Sequence, residues 1–285
     1  MNGQETIARL SALNQMKPFE PKETDTERDG KWFCSVCGDQ KYGWFDLPDG
    51  TPVFMNGGCR CERLRQAAEK EAEGGRLRRK VAGMTDDIID NSRFSKDKGL
   101  CNPDAVLKAK EYAQRFPENR KAGKGLLFWG NVGVGKSFLS YCIANEVADQ
   151  TYTVRGWIDR DAGKYVDTKQ HYHIYIRRPD QAFNEKLNDE GDFMYAQDYA
   201  DLVVISDLGR EAGNDRMIEF VNSWIDHLYE LRTPMIVTTN LTLKQLMDPA
   251  DRRSPAFDRI MSRCMPIEVR SIGRITARQS LRGVM

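Results

Sequence analysis

The eight residues GNVGVGKS, Gly130 to Ser137, fit the pattern G-x-x-x-x-G-K-[ST], and no other stretch of this chain restricts its fold as tightly. The pattern carries its chemistry when a strand precedes it and a helix follows. Here the apolar run GLLFWG comes before it, and a helix is expected from Lys136. Glycines let the backbone wrap so that its N–H groups point at phosphate oxygens, and the helix N-terminus adds partial positive charge. Lys136 is then expected on the β and γ phosphates of ATP, and Ser137 on Mg²⁺. The candidate nucleotide-binding set is Gly130, Asn131, Val132, Gly133, Val134, Gly135, Lys136, Ser137 and Phe138. A chance glycine-rich turn is the alternative, and the strand-to-helix context argues against it.

The remainder of residues 91–285 reads as the domain such a loop belongs to. After an expected helix near Asp104 to Phe116 and the loop itself, short apolar runs recur: HIYI, LVVIS, MIVTT and PIEV, beginning at His173, Leu202, Met235 and Pro266. Helical stretches separate them. With GLLFWG they make a five-stranded parallel sheet with helices on both faces, an α/β fold. One insertion, TYTVRGWIDRDAGKYVDTKQ, reads as a hairpin turning at Asp161, Ala162, Gly163 and Lys164.

Ligands in such sheets bind beyond the carboxyl ends of the strands. ADLVVISDLG ends a strand with Ser206 and Asp207, where nucleotide hydrolases commonly carry two acids. The serine brings no charge, so the metal is expected to rest on Ser137 and the phosphates, with Asp207 as catalytic base and hydrolysis slow. A turn-capping role for Asp207 before Gly209 is the alternative. Asn240, ending MIVTTN, sits where an amide can sense the γ phosphate or orient the attacking water; an Asn after a strand is also a common turn former. Arg259 and Arg263, one helical turn apart in FDRIMSRC, are candidates for an arginine finger reaching a neighbouring subunit. Arg278, in GRITAR, is a candidate for touching phosphate within its own subunit.

Upstream the chain changes character. Residues 1–30 are polar, and 31–62 are rich in aromatics and glycines around Cys34, Cys37, Cys59 and Cys61. Two pairs of thiolates separated by a loop suit tetrahedral Zn²⁺, and a segment too small for a core needs such a staple. Unligated thiols or an iron–sulfur centre are the alternatives. Cys101, Cys142 and Cys264 are scattered, as small buried hydrophobes are. Residues 63–90 read as a helical connector broken at Gly74 and Gly75.

Bulk charge excludes a protein held to nucleic acid by its global field, since 43 Lys and Arg face 42 Asp and Glu. Local basic surface remains. Residues 252–285 hold eight Arg, and the hairpin region mixes Arg155, Arg160, Lys164, Lys169, Arg177 and Arg178 with Tyr152, Trp157, Tyr165, Tyr172 and Tyr175. Charge and stacking surface together are what single-stranded DNA uses, although an exposed charged hairpin would look the same. His171 and His173 read as structural. No apolar run reaches membrane-spanning length and the first residues are unlike a signal peptide, so a cytoplasmic protein is expected.

In their order and spacing, KGLLFWGNVGVGKSFLSYCIANEV, ADLVVISDLGRE, PMIVTTNLTLKQL, FDRIMSRCMPIEV and GRITAR resemble the AAA+ helicase loaders of the DnaC and DnaI type, over about Ser92 to Arg278. The resemblance implies an AAA+/ASCE P-loop sheet, with Asn240 at the sensor 1 place, Arg259 or Arg263 as the finger and Arg278 at the sensor 2 place. It also implies ATP-dependent self-assembly, a DnaB-type hexameric helicase as partner, assistance in loading it onto single-stranded DNA, and a zinc-binding amino-terminal domain that docks on that helicase. Ser206 departs from the family pattern. Two rival readings share the fold: a transposition ATPase resembling IstB, and a nucleotide-binding adaptor that has lost hydrolysis.

Overall fold

The computed structural model describes residues 25–46, 50, 52–56, 59–159, 164–189, 193, 196–209 and 214–272. The chain divides into two compact units, residues 1–74 and 75–285.

In the first unit four strands, β1 (Thr26–Arg28), β2 (Lys31–Phe33), β3 (Gln40–Asp46) and β4 (Pro52–Asn56), pair antiparallel in chain order. Asp29 and Gly30 turn β1 into β2, both at positive φ (52° and 71°), the geometry a two-residue hairpin turn demands. β1 therefore lies inside the stretch whose sequence reads as a polar segment. Lys41 and Asp25 are both buried and paired at 2.7 Å, so each charge has its partner.

Helix α1 (Arg60–Ala82) begins in this unit and runs unbroken through Gly74 and Gly75. The sequence reading of a break there is corrected. Gly75 is buried, and a Cβ on it would stand 3.2 Å from Nη1 of Arg79, which instead donates to the Gly75 carbonyl at 3.1 Å. Glycine here makes room for a guanidinium folded back along the helix.

The second unit is built on a parallel sheet of β5 (Gly125–Trp129), β8 (Ile174–Arg177), β9 (Leu202–Leu208), β10 (Met235–Thr239) and β11 (Cys264–Glu268), in the spatial order β11-β5-β10-β9-β8. Strand residues alternate between faces. Leu126, Phe128, Val204 and Ile236 face helices α3 (Pro103–Gln114) and α5 (Lys136–Asp149), whereas Leu127, Val203, Ile205 and Val237 face α7 (Asp215–Glu230) and α9 (Ser254–Arg263). In α7 the apolar stripe runs Ile218, Val221, Ile225 and Leu228, the spacing of a helix buried along one side. Fully burying each such side chain contributes roughly 1.5–3 kcal/mol. At the centre, a Cβ on Gly125 would lie 1.9 Å from the Met235 carbonyl oxygen, so β5 and β10 meet there only because residue 125 has no side chain.

The insertion is a hairpin, β6 (Thr151–Asp159) against β7 (Lys164–His171), with Thr151 opposite His171. The turn residues Asp161, Ala162 and Gly163 lie outside the described residues, as does Arg278. Tyr172 and Tyr175 are buried, and Tyr152 stacks on Tyr172 at 4.9 Å. The Tyr172 and Tyr175 rings are spent inside the protein, which removes them from the stacking surface read in the sequence, while Tyr152 is half-buried. Three of the charges are also matched locally: Arg155 pairs with Asp167, Arg177 with Glu185 and Arg178 with Asp180. Among the described residues no helix is long and apolar enough to cross a membrane.

Candidate nucleotide site and cysteine cluster

Residues Gly130 to Gly135 join β5 to α5. Gly130, Gly133 and Gly135 all take positive φ (143°, 83° and 98°), which bends the loop back over the helix start. At Gly130 the space is closed as well, since a Cβ would fall 2.3 Å from the Val269 carbonyl oxygen. Val132 is exposed at the loop tip, whereas Val134 is buried in the core. Beneath the loop, the Cys101 thiol donates to the Val134 carbonyl at 3.2 Å. Phe138 packs against the core, so what it can offer an anion is its main-chain N–H.

Lys136 and Ser137 open α5. The Lys136 ammonium is buried and uses its three donors on the Gly130 carbonyl (2.8 Å), the Asn131 carbonyl (2.7 Å) and Oδ1 of Asn240 (2.7 Å). Burial pushes its pKa down to about 8, opposed by the negative charge of Asp207. Two motifs 104 residues apart thus meet directly, because β5 and β10 are neighbours in register and end at the same edge. Beside them a cavity of about 300 Å³ is lined by Gly130, Asn131, Val134, Asn240, Thr242 and Arg270, among others.

The end of β9 is irregular. Val237 pairs with Ile205 and Thr239 with Leu208, so β9 carries one residue more than its partner across this interval. Asp207 occupies the bulge at φ 58°, and its N–H donates to Oγ1 of Thr238 at 2.9 Å. Thr239 Oγ1 donates to the Leu208 carbonyl at 2.7 Å. Two adjacent threonine hydroxyls therefore fix the acid-bearing turn on β10. Sequence reasoning passed over Thr238 and Thr239, although their place at a strand's carboxyl end was the available signal. Ser206 is buried, and its hydroxyl has no hydrogen-bond partner among the described residues. This orphaned hydroxyl directly precedes the acid in the chain, and a water or the hydration shell of a cation would satisfy it.

Arg259 pairs with Asp226 on α7 and lies over the Tyr229 ring, and Arg263 lies over the same ring at 4.6 Å. Neither lines the cavity beside the loop. Arg252 pairs with Asp215, Arg253 with Asp251 and Arg270 with Glu268, so the basic carboxyl-terminal stretch is largely neutralised where it is described. His171 Nδ1 lies 3.2 Å from the Ala148 carbonyl oxygen, a structural contact.

The body of the site hangs on a second network absent from the sequence reading. Asn145 of α5 is fully buried and donates to the Ile88 and Ser92 carbonyls (3.1 and 2.8 Å) at the end of α2 (Asp86–Asn91). Its Oδ1 accepts from Nε of Arg79 at 3.0 Å, and Arg79 also pairs with Asp149.

In the first unit, the sulfurs of Cys34, Cys37, Cys59 and Cys61 all lie within 4.8 Å of one another. A tetrahedral ion with about 2.3 Å bonds to sulfur needs about 3.8 Å between sulfurs, so small shifts complete the site. Main-chain N–H groups of Cys37 and Val36 aim at the Cys34 sulfur and push its pKa down to about 7. The adjacent Cys37 thiol, with burial, pushes Cys61 up to about 12. The Gly38 N–H donates to the Cys34 carbonyl at 2.9 Å with Gly38 at φ 73°, closing the first knuckle. The cluster can hold a metal ion.

No protein-family model and no curated protein matches the sequence. Among solved structures, the DnaC helicase loader is similar at 22% identity, over 64% of this chain and 98% of that one, with a TM-score of 0.50. The larger unit has the AAA+ fold. DnaI aligns at 21% identity over 67% of this chain and 94% of that chain (TM-score 0.49). AMPPCP-bound DnaA from Aquifex aeolicus aligns at 19% identity over 63% of this chain and 50% of that chain (TM-score 0.44).

Proposed function

We propose that this chain is an ATP-dependent loader of a DnaB-type replicative helicase, acting with single-stranded DNA and assembling with copies of itself when ATP is bound. The observation that carries the reading is the meeting of Lys136 with Asn240 beside the Asp207 turn. In this reading an anion-binding loop, a γ-phosphate sensor and a catalytic acid act together at that sheet edge. The loader motifs in the sequence and the fold shared with DnaC support the choice of partner.

In this reading Lys136 leaves the loop carbonyls for the β and γ phosphates, which supply stronger, charged acceptors. The Ser137 hydroxyl would hold Mg²⁺, with the orphaned Ser206 hydroxyl beside the ion's hydration shell, and the ion would offset phosphate charge when bound. Asn240, freed from Lys136, orients the attacking water. Asp207 takes that water's proton as its oxygen bonds to the γ phosphorus and ADP leaves. Arg259 or Arg263 enters a neighbouring subunit's site, and Arg278 contacts phosphate in its own. Zn²⁺ on the four cysteines completes the amino-terminal unit, which docks on the helicase.

The test is co-purification of the full chain with the replicative helicase of its host, with and without ATP. Retention that requires ATP and is lost in Lys136→Ala supports the reading, and no retention in either condition rejects it. Ser206 favours one second reading, an adaptor that binds ATP without turning it over. Turnover measured on the helicase-bound chain separates the two.

A further inference from the structure

Gly209 follows the acid-bearing turn at φ 108°, and Leu241 and Arg253 are among the groups that hold it. A Cβ there would sit 3.1 Å from the Leu241 side chain, next to Asn240, and its carbonyl accepts from Nη1 of Arg253 at 3.3 Å. Arg253 is the cap residue of α9, its own carbonyl accepting the Phe257 N–H at 3.0 Å. Its side chain is only 9% exposed, forks onto both Asp251 oxygens (2.8 and 2.6 Å) and lies over the Phe257 ring, which is wholly buried. Burying such a pair gains little net stability, because desolvation offsets the attraction. What the arrangement supplies is geometry: a stiff connection from the end of β9 to the first turn of the helix that bears Arg259 and Arg263.

We infer that Arg253 is a positioning residue that transmits the nucleotide state of the Asp207 turn to α9, and so sets where Arg259 and Arg263 are presented. The inference rests on the reading of residues 130–137 as the nucleotide site. When phosphates draw Lys136 from Asn240, the Asn240–Leu241 and Asp207–Gly209 turns adjust together, since Leu241 packs on Gly209 and donates its N–H to Thr239 at 3.1 Å. Arg253 passes that adjustment on because its guanidinium and its helix-capping backbone belong to one residue.

The experiment is hydrogen–deuterium exchange on the full chain with and without AMPPCP, at a concentration where ultracentrifugation shows monomers. Native protein, Arg253→Gln and Arg253→Lys are compared, and each is first checked for a native-like thermal transition. Native protein should show slowed exchange in residues 130–137 and at least about a threefold change in 254–263. Lysine keeps the charge beside Asp251 but lacks the fork that also reaches Gly209. Arg253→Lys should therefore keep the response of 130–137 and lose that of 254–263, and Arg253→Gln should do the same if it folds. A native α9 that ignores AMPPCP while the loop responds overturns the inference, as does an α9 response that persists in Arg253→Lys. A loop that does not respond at all would instead reject the nucleotide site.

Discussion

Raising the pH should weaken ATP binding in a way that reports directly on Lys136. In the free protein its ammonium is buried beneath the loop with a pKa near 8, whereas phosphate oxygens raise the pKa in the bound state. The sign follows from linkage: the state with the higher pKa takes up a proton, so binding is favoured below the free-state value and lost as pH climbs through it. If only the ammonium form binds, the apparent Kd scales as one plus ten to the power (pH − 8). That predicts about a twofold weakening by pH 8 and about tenfold by pH 9, relative to pH 7. Titration of a fluorescent ATP analogue at constant ionic strength measures it. Lys136→Arg is the control, because a guanidinium stays charged throughout, so its affinity should be flat in pH whatever its absolute level. A flat native profile between pH 7 and 9 would refute the reasoning. An equal slope in the arginine variant would assign the titration to another group.

Asn145→Ala strands the Ser92 carbonyl and the Arg79 Nε and takes from the Ile88 carbonyl one of its two donors, the other being the Ser92 N–H, a loss of about 3 kcal/mol. Calorimetry should show the thermal midpoint falling by about 6–12 °C, and a shift under about 3 °C would mean the network relaxes into other partners. Asp207→Asn should keep ATP-analogue affinity within about threefold and abolish turnover; equal loss of both would remove its assignment as base. Ser206→Asp adds the missing negative charge and should raise Mg²⁺-dependent turnover by about tenfold or more, with a decrease counting against the cation site. Cys34→Ser should reduce bound zinc from one ion per chain to none by metal analysis while nucleotide affinity holds, and a native chain folded without metal would reject the site.

The strand–loop–helix at residues 125–149 was legible because its whole sequence pattern lies within a few consecutive positions, and β5, β9 and β10 because buried parallel strands are continuous apolar runs. The cysteine cluster was legible for a related reason, since thiols paired so closely have few other uses. Contacts made by ordinary-looking polar residues far apart in the chain were not. Arg79 and Asn145 stand 66 residues apart, each on a helix whose pattern singles out neither. The bulge at Asp207 arises from a register mismatch between two strands, and no single strand's sequence records a mismatch. Tyrosine misled because one residue type serves stacking surfaces and cores alike, and here Phe116 and Tyr152 enclose Tyr172. The Asp29–Gly30 turn was a readable signal hidden in a polar stretch.

The seven cysteines also give the protein a built-in gauge. Cys101, Cys142 and Cys264 are buried, and burial raises all three, Cys101 to about 11 and Cys264 to about 12. Such thiols stay silent toward alkylating reagents at neutral pH, where the thiolate is the reacting form. Within the cluster Cys34, whose pKa is pushed down to about 7, is the thiol set apart for labelling, and coordination would protect it. Labelling at Cys34 on the folded chain would therefore read metal occupancy, with the three core thiols as an internal check that the fold is intact.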